Sequence, residues 1–288
     1  MTASSPDQTL VILAAGQAKR YGGGLKPLAA VGPEDEAILD LLASDAFGAG
    51  FTHFVVVVSP TSGPTIRDHI KQHWPAHLDV RFAVQETPRG TVDAVLSAFS
   101  ELDGATRFGV SNADDLYGPA SLRILSEHLA SANAEQALVG FALERAVIGA
   151  SPVTRGVCQI TSQGYLSAIE ERRGVTRRDD GTFATGDDRS PEVLGADTIV
   201  SMNLWGLRSA LADDFAEALR ASRRDEVLLP EVVGELIARP EDAVRFQVLP
   251  SNGRCVGVTH PGDLELVRAD VRAQIERGER PGELWMGV

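Results

Sequence analysis

Long apolar runs are missing from this 288-residue chain, as is any opening that joins a basic region to an apolar one. The N-terminal MTASSPDQ predicts no secretory signal, and no stretch approaches membrane-spanning length, so no membrane partner is expected. Cysteine is scarce. Cys158 and Cys255 are the only two, which predicts a soluble protein of a reducing compartment, the cytoplasm. Positive charge is in deficit, with a net charge of −13 at pH 7. Nucleic acid is therefore not an expected partner, because phosphate backbones need a basic face. A small anionic ligand remains compatible if cations are concentrated locally. Internal repeats and clean linkers are also absent. The rest is ordinary globular composition, 43% hydrophobic and 23% charged, enough for one large α/β domain or two small ones.

Cations are indeed concentrated in one place, the stretch LVILAAGQAKRYGGGLKPL from Leu10 to Leu28. Leu10 to Leu13 read as a buried parallel strand, which ends abruptly at Ala14, Ala15 and Gly16. The loop that follows carries Gly22, Gly23 and Gly24 together with Lys19, Arg20 and Lys26. Glycine backbone can approach a ligand closely, and its N–H groups can cradle phosphate oxygens while Arg and Lys offset the charge. Two familiar phosphate loops fail here. Lys26 is flanked by Leu25 and Pro27, not by Gly and Ser or Thr. Gly16 is followed by Gln17 and Ala18, so Gly-x-Gly-x-x-Gly is not met, and the second strand ends at Ser59-Pro60 without an acid.

Leu13, Ala14, Gly16, Arg20, Lys26, Pro27 and Leu28 match a different signature, Leu-Ala-x-Gly-x-Gly-x-Arg followed by Lys-Pro-Leu. In this the chain resembles the sugar-nucleotidyltransferase superfamily, with Ala18 in place of the second glycine. The resemblance implies an enzyme that joins a nucleoside triphosphate to a sugar 1-phosphate and releases pyrophosphate, using Mg²⁺. It implies a Rossmann-like, mostly parallel mixed sheet flanked by helices, with a smaller sugar-binding lobe. Arg20 and Lys26 would hold the triphosphate. Leu13, Ala14, Ala15, Gly16, Gln85, Gly90, Thr91 and Asn112 would line the nucleotide, with the Gln85 amide reading the base edge. Gly156, Glu171, Arg172 and Asn203 would face the sugar phosphate. Other phosphorylated acceptors, a molybdenum cofactor or an alcohol phosphate, share this opening loop and stay open, as does a regulatory paralogue without turnover. Assembly of identical copies is open too.

Periodicity along the chain supports the same class. Strands are expected at Phe54 to Val58, Val80 to Val84 and Phe108 to Val110, alternating with helices at Ala37 to Ala49, Ile66 to Trp74 and Thr91 to Phe99. Val157 to Ile160 and Tyr165 to Ile169 flank a turn and predict a hairpin. Thr198 to Leu207 and Val244 to Leu249 predict later strands, and Ala210 to Ala221, Pro230 to Ala238 and Pro261 to Ile275 helices. From Arg172 to Asp197 the sequence turns polar, which predicts a long loop with little core. One domain is expected over 1–288. Its nucleotide part would span about 9–135, its sugar-phosphate part about 136–260, and its C-terminal helix and tail 261–288.

Asp114 and Asp115 follow the strand that ends at Asn112. Magnesium beside phosphates takes one or two carboxylates plus water, and the resemblance puts the metal on Asp114. Asp115 reads as the N-cap before Pro119, or as a second ligand. Where the family places a further carboxylate, near Gly257, this chain has none. His69, His73 and His77 are interrupted by Pro75 and read as a solvated helix. Asp179, Asp180, Asp187 and Asp188 lack the alternation of a calcium loop and read as solvated.

Overall fold

Strand β1 (Thr9–Leu13) is the axis of the sheet, and alternation along it divides the core. Leu10 and Ile12 belong to one buried cluster, with Leu39, Leu42, Ile66, Leu122 and Leu125. Val11 belongs to the other, with Val92, Val95, Phe215 and Val233. A strand buried on both faces must be apolar throughout, which is why TLVIL and HFVVVV show no polar alternation. The computed structural model describes residues 8–16, 24–132, 134–240, 243–258 and 261–286.

After β1 come α1 (Ile38–Gly48), β2 (His53–Val58), α2 (Gly63–His73), β3 (Asp79–Val84), α3 (Thr91–Ala98) and β4 (Arg107–Asn112). The short β5 (Asp115–Leu116) leads into α4 (Pro119–Ala130), β6 (Gln136–Ala142) and α5 (Leu143–Ala146). A hairpin follows, β7 (Val153–Ile160) and β8 (Leu166–Arg177), extended by β9 (Phe183–Ala184) and β10 (Val193–Leu194). Last come β11 (Ile199–Arg208), α6 (Ala212–Ala221), α7 (Leu229–Ile237), β12 (Phe246–Ser251), β13 (Val256–Gly257) and α8 (Leu264–Glu276). Strands β3, β2, β1 and β4 are parallel neighbours, and β12 lies parallel to β6. Antiparallel β11 joins the two groups. The result is the expected mixed α/β sheet, with a smaller antiparallel ladder built on β7 and β8.

One edge of β11 is shared. Trp205 to Arg208 pair with β4, whereas Val200 and Ser201 pair with β7. Between them the register with β6 shifts, and Asn203 sits at the break with φ of 59°. The sheet therefore parts where the carboxyl end of β4 approaches the hairpin. Clefts outside the carboxyl ends of parallel strands are where ligands bind in such sheets.

Several expectations need correction. The polar stretch after Arg172 is not a coreless loop. It forms the end of β8, with β9 and β10, and Val175, Phe183 and Leu194 are buried. Three apolar anchors at wide spacing suffice because Arg172 and Asp187 supply a buried ionic centre. Asp187 is thus not solvated. Nor is Asp115 a helix cap, since Gly118 holds the N-cap position of α4 and Asp115 lies in a ladder against β13. His69 is not solvated either. Its Nε2 lies 2.9 Å from buried Asp40, which also accepts from the Trp74 indole and the Ala37 N–H. A buried carboxylate needs such partners to offset its desolvation.

Candidate active site

Asp114 stands where three cavities meet, each lined by its side chain or backbone. The largest of the three has a volume of about 560 Å³, within the range of small-molecule sites. It is lined by Leu13, Ala15, Gly16, Gln85, Gly90, Thr91, Asn112 and Asn203, and by a segment from Asp225 to Leu228. A second, of about 240 Å³, lies on the hairpin side and is lined by Asp115, Arg155, Gly156, Glu171, Ser201 and Gly257 among others. The smallest is formed by Ala14, Gly16, Leu25, Lys26 and Pro27. Every sequence-predicted residue among those described lines one of these cavities, except Arg172. Arg20, with Lys19, Gly22 and Gly23, lies outside the described residues.

Each side chain is placed by its element. Lys26 opens a single 3₁₀ turn started by Pro27, and its Nζ reaches to 3.7 Å from Asp114 Oδ2. Asn112, at the end of β4, donates from Nδ2 to Asp115 Oδ2 at 2.8 Å. Its backbone N–H donates to the Tyr117 hydroxyl, which in turn donates to the Met202 carbonyl. Tyr117 thereby ties β4 to the irregular turn of β11, and burial pushes its pKa well above the ordinary phenol range. The Asn203 side chain accepts from the Trp205 indole, which steadies a left-handed residue at the junction of two cavities.

Burial raises the carboxyl of Asp114, and the nearby Lys26 charge opposes the rise. Asp115 is pushed up to about 6, first by burial and then by the charge of Asp114, while the Asn112 amide, Arg155 and Lys26 hold it down. Two such carboxylates side by side call for positive charge. Their room comes from Gly257, the cross-strand partner of Asp115. A Cβ there would collide with Asp115 Oδ1. The place where the resemblance expects a carboxylate is thus filled from the facing strand.

Gln85 is 5% exposed, and both hydrogens of its amide are committed, to the Gly90 carbonyl at 3.0 Å and Asp93 Oδ2 at 2.8 Å. Only its carbonyl oxygen is left to meet a ligand, so this amide acts as an acceptor. Gly90 has φ of 96°, and a Cβ there would collide with the backbone of Val227. That contact is a clamp. Val227 N–H donates to the Arg89 carbonyl, Val92 N–H to the Val227 carbonyl, and Leu229 N–H to Thr91 Oγ1. Residues 225–228 are the part of the site that sequence reasoning missed, and no local signal marks them. Thr154 and Ser201 were missed as well, whereas Arg155 belongs with Gly156 to the segment that the resemblance places on the sugar side.

Arg172 is the main misassignment. It is 1% exposed, bidentate on Asp187 at 2.9 and 3.0 Å, and close to Thr185 Oγ1 and the carbonyls of Arg189 and Pro191. Its Nε and Nη2 donors are held within the β8–β10 lobe, and it lines none of the three cavities. In β8 its neighbour Glu171 is paired with Gly156 and lines the hairpin-side cavity.

The mixed α/β sheet thus parts over paired carboxylates and a lysine at the carboxyl end of its central strands. The sequence model of the nucleotidyl transferase family matches residues 9–247, and the chain belongs to that family. None of the curated proteins compared matches it. Among solved structures it is similar to HddC from Yersinia pseudotuberculosis, at 17% identity and a TM-score of 0.62, covering 91% of this chain and 99% of that one. The same protein complexed with GMP-PN aligns with a TM-score of 0.59, at the same identity and coverage. The inositol-1-phosphate CTP transferase from T. maritima aligns at 12% identity with a TM-score of 0.66, covering 92% and 96%. These likenesses concern the fold.

Proposed function

We propose that this nucleotidyltransferase joins a nucleoside triphosphate to a sugar 1-phosphate in a Mg²⁺-dependent reaction. The observation that carries the reading is Asp114, placed where the Gln85–Gly90 cavity, the Lys26 turn and the Glu171 cavity converge. A phosphate oxygen of the acceptor attacks the α-phosphorus, one P–O bond forms, and the bond to the leaving pyrophosphate breaks. No enzyme nucleophile is required, so catalysis rests on positioning and charge. The nucleoside fits the larger cavity, with Leu13 to Gly16 beneath it and Thr91 and Asn112 at its sides. Lys26 offsets the triphosphate, and Arg20, by its place in the motif, is assigned the same task. Gly156, Glu171 and Asn203 face the acceptor.

The carboxylates fit magnesium. They are hard oxygen donors on one wall, and the missing Cβ of Gly257 leaves space for the Asp115 group. Asp114 would hold the ion and Asp115 would support it. When bound, Mg²⁺ supplies charge that stabilises the phosphate oxygens. The buried, unpaired Cys158 and Cys255 suit a cytoplasmic setting. Pyrophosphate release, measured over a matrix of triphosphates and phosphorylated acceptors with and without Mg²⁺, tests the reading. Silence with every phosphorylated acceptor would sink it.

Two substitutions follow from the geometry. Gly257→Ala should displace the Asp115 carboxylate and lower kcat by about 100-fold, the scale of a 1 Å misplacement at a reacting centre. Unchanged kcat in the folded variant would show that Asp115 plays no part. Gln85→Ala removes one acceptor at the base and two ties, one to the Gly90 carbonyl and one to Asp93 in α3. Preference among the four triphosphates should shrink by about 2- to 10-fold, the worth of one hydrogen bond. An unchanged ranking would place base reading elsewhere.

A further inference from the structure

With Arg172 withdrawn into the β8–β10 lobe, the acceptor side of the site needs another cation. The hairpin-side cavity carries Asp114, Asp115 and Glu171, and a phosphorylated ligand entering it brings more negative charge. Among the described residues, Arg155 is the one basic side chain that lines it. Three N–H donors of its guanidinium are fixed on backbone, two on the Ala146 carbonyl at 3.3 and 2.8 Å and one on the Thr154 carbonyl at 2.8 Å. A guanidinium has five donors, so two are left with no acceptor among the described residues. Asp115, Asp263 and the Cys255 thiol are the acidic groups that act on it. Anchored on both sides and partly unsatisfied, the group is pre-organised for a planar, two-oxygen contact, which phosphate provides.

We infer that Arg155 selects a phosphorylated acceptor by pairing its guanidinium with the acceptor's phosphate oxygens. The inference rests on the nucleotidyl-transfer reading for the identity of the acceptor, but its central contact can be tested without turnover. Full-length wild type, Arg155→Met and Arg155→Lys are titrated with methyl phosphate, the simplest phosphate monoester, by calorimetry. Wild type should bind saturably. Met should weaken binding about 10- to 100-fold, the scale of a lost charge-assisted pair, and Lys should recover part of it. With any phosphorylated acceptor that supports pyrophosphate release, Met should raise the acceptor KM at least tenfold and leave the triphosphate KM within twofold. A purely structural role would change both alike.

Equal methyl phosphate affinity in folded wild type and Met, or in wild type and Lys should Met not fold, overturns the inference. No saturable binding to wild type overturns it as well. Loss of binding in the variants, in an enzyme that releases pyrophosphate with no phosphorylated acceptor, would overturn the reaction and leave Arg155 as a phosphate site.

Discussion

Asp114→Asn is expected to abolish pyrophosphate release while leaving the melting temperature near that of wild type. The loss should be about 1,000-fold or more, equivalent to about 4 kcal/mol of transition-state stabilisation. Asn keeps the size and one oxygen but removes the charge on which the Lys26 pairing and the proposed metal contact depend. No core packing is disturbed, because the side chain lies at a cavity junction. Asp115→Asn should cost less. Asp115 already spends an oxygen on the Asn112 amide, and it lines only the hairpin-side cavity. Steady-state kinetics beside thermal melts of both variants check this. Near-normal turnover by folded Asp114→Asn ends its catalytic assignment, and equal losses make the two carboxylates equivalent.

Arg172→Met is expected to act in the opposite way, on stability and not on substrate. Removing one partner of a buried ion pair leaves the other charge uncompensated, at a cost of about 3–5 kcal/mol. Against a typical total of about 5–15 kcal/mol, that is a large fraction. Urea denaturation should show it, and the folded variant should keep its acceptor KM within twofold, unlike Arg155→Met. The pair also predicts a pH dependence. The Arg172 guanidinium and neighbouring N–H groups hold the Asp187 carboxyl well below its ordinary range. A depressed carboxylate pKa contributes stability that is complete above the unfolded value of about 3.9, and that is lost as pH falls below it. The lobe should therefore loosen below about pH 4 in wild type, and the variant should lack that transition. Amides of residues 174–197 should exchange slowly in the free protein at pH 7. Fast exchange there, or undiminished stability of Arg172→Met, would contradict the structural role.

The two residues show where sequence reading works and where it stops. Leu10 to Leu13, Phe54 to Val58 and Phe108 to Val110 were legible because runs of buried apolar residues mark strands. In parallel sheets, ligands gather where such strands end. That logic puts Gly16, Gln85 and Asp114 at strand ends without any knowledge of pairing, and the three line one cavity. Arg172 was expected at the phosphate because the family resemblance put it there, and the polar stretch that holds Asp187 gave no sign of a buried partner. Nothing local distinguishes a charge that is solvated from one that is buried and paired. Asp115 was misread as a cap for a similar reason. Its neighbour Gly257 is distant in sequence, and a missing Cβ leaves no positive mark. The bulge at Asn203 was equally hidden inside a strand whose apolar pattern continues across it.

The clamp between Gly90 and Val227 sets an order of events during synthesis. The first wall of the larger cavity, from Leu13 to Thr91, leaves the ribosome well before the segment that closes it. At roughly 5–20 residues per second, the interval between Thr91 and Val227 is about 7 to 27 seconds. Throughout it, the Arg89 carbonyl and the Val92 N–H lack the partners they have in the finished protein. A nascent chain stopped before Asp225 contains the residues of β1 to β4 but not the segment that completes the larger cavity. On the proposed function, nucleotide can therefore reward folding only once residues 225–228 have been made.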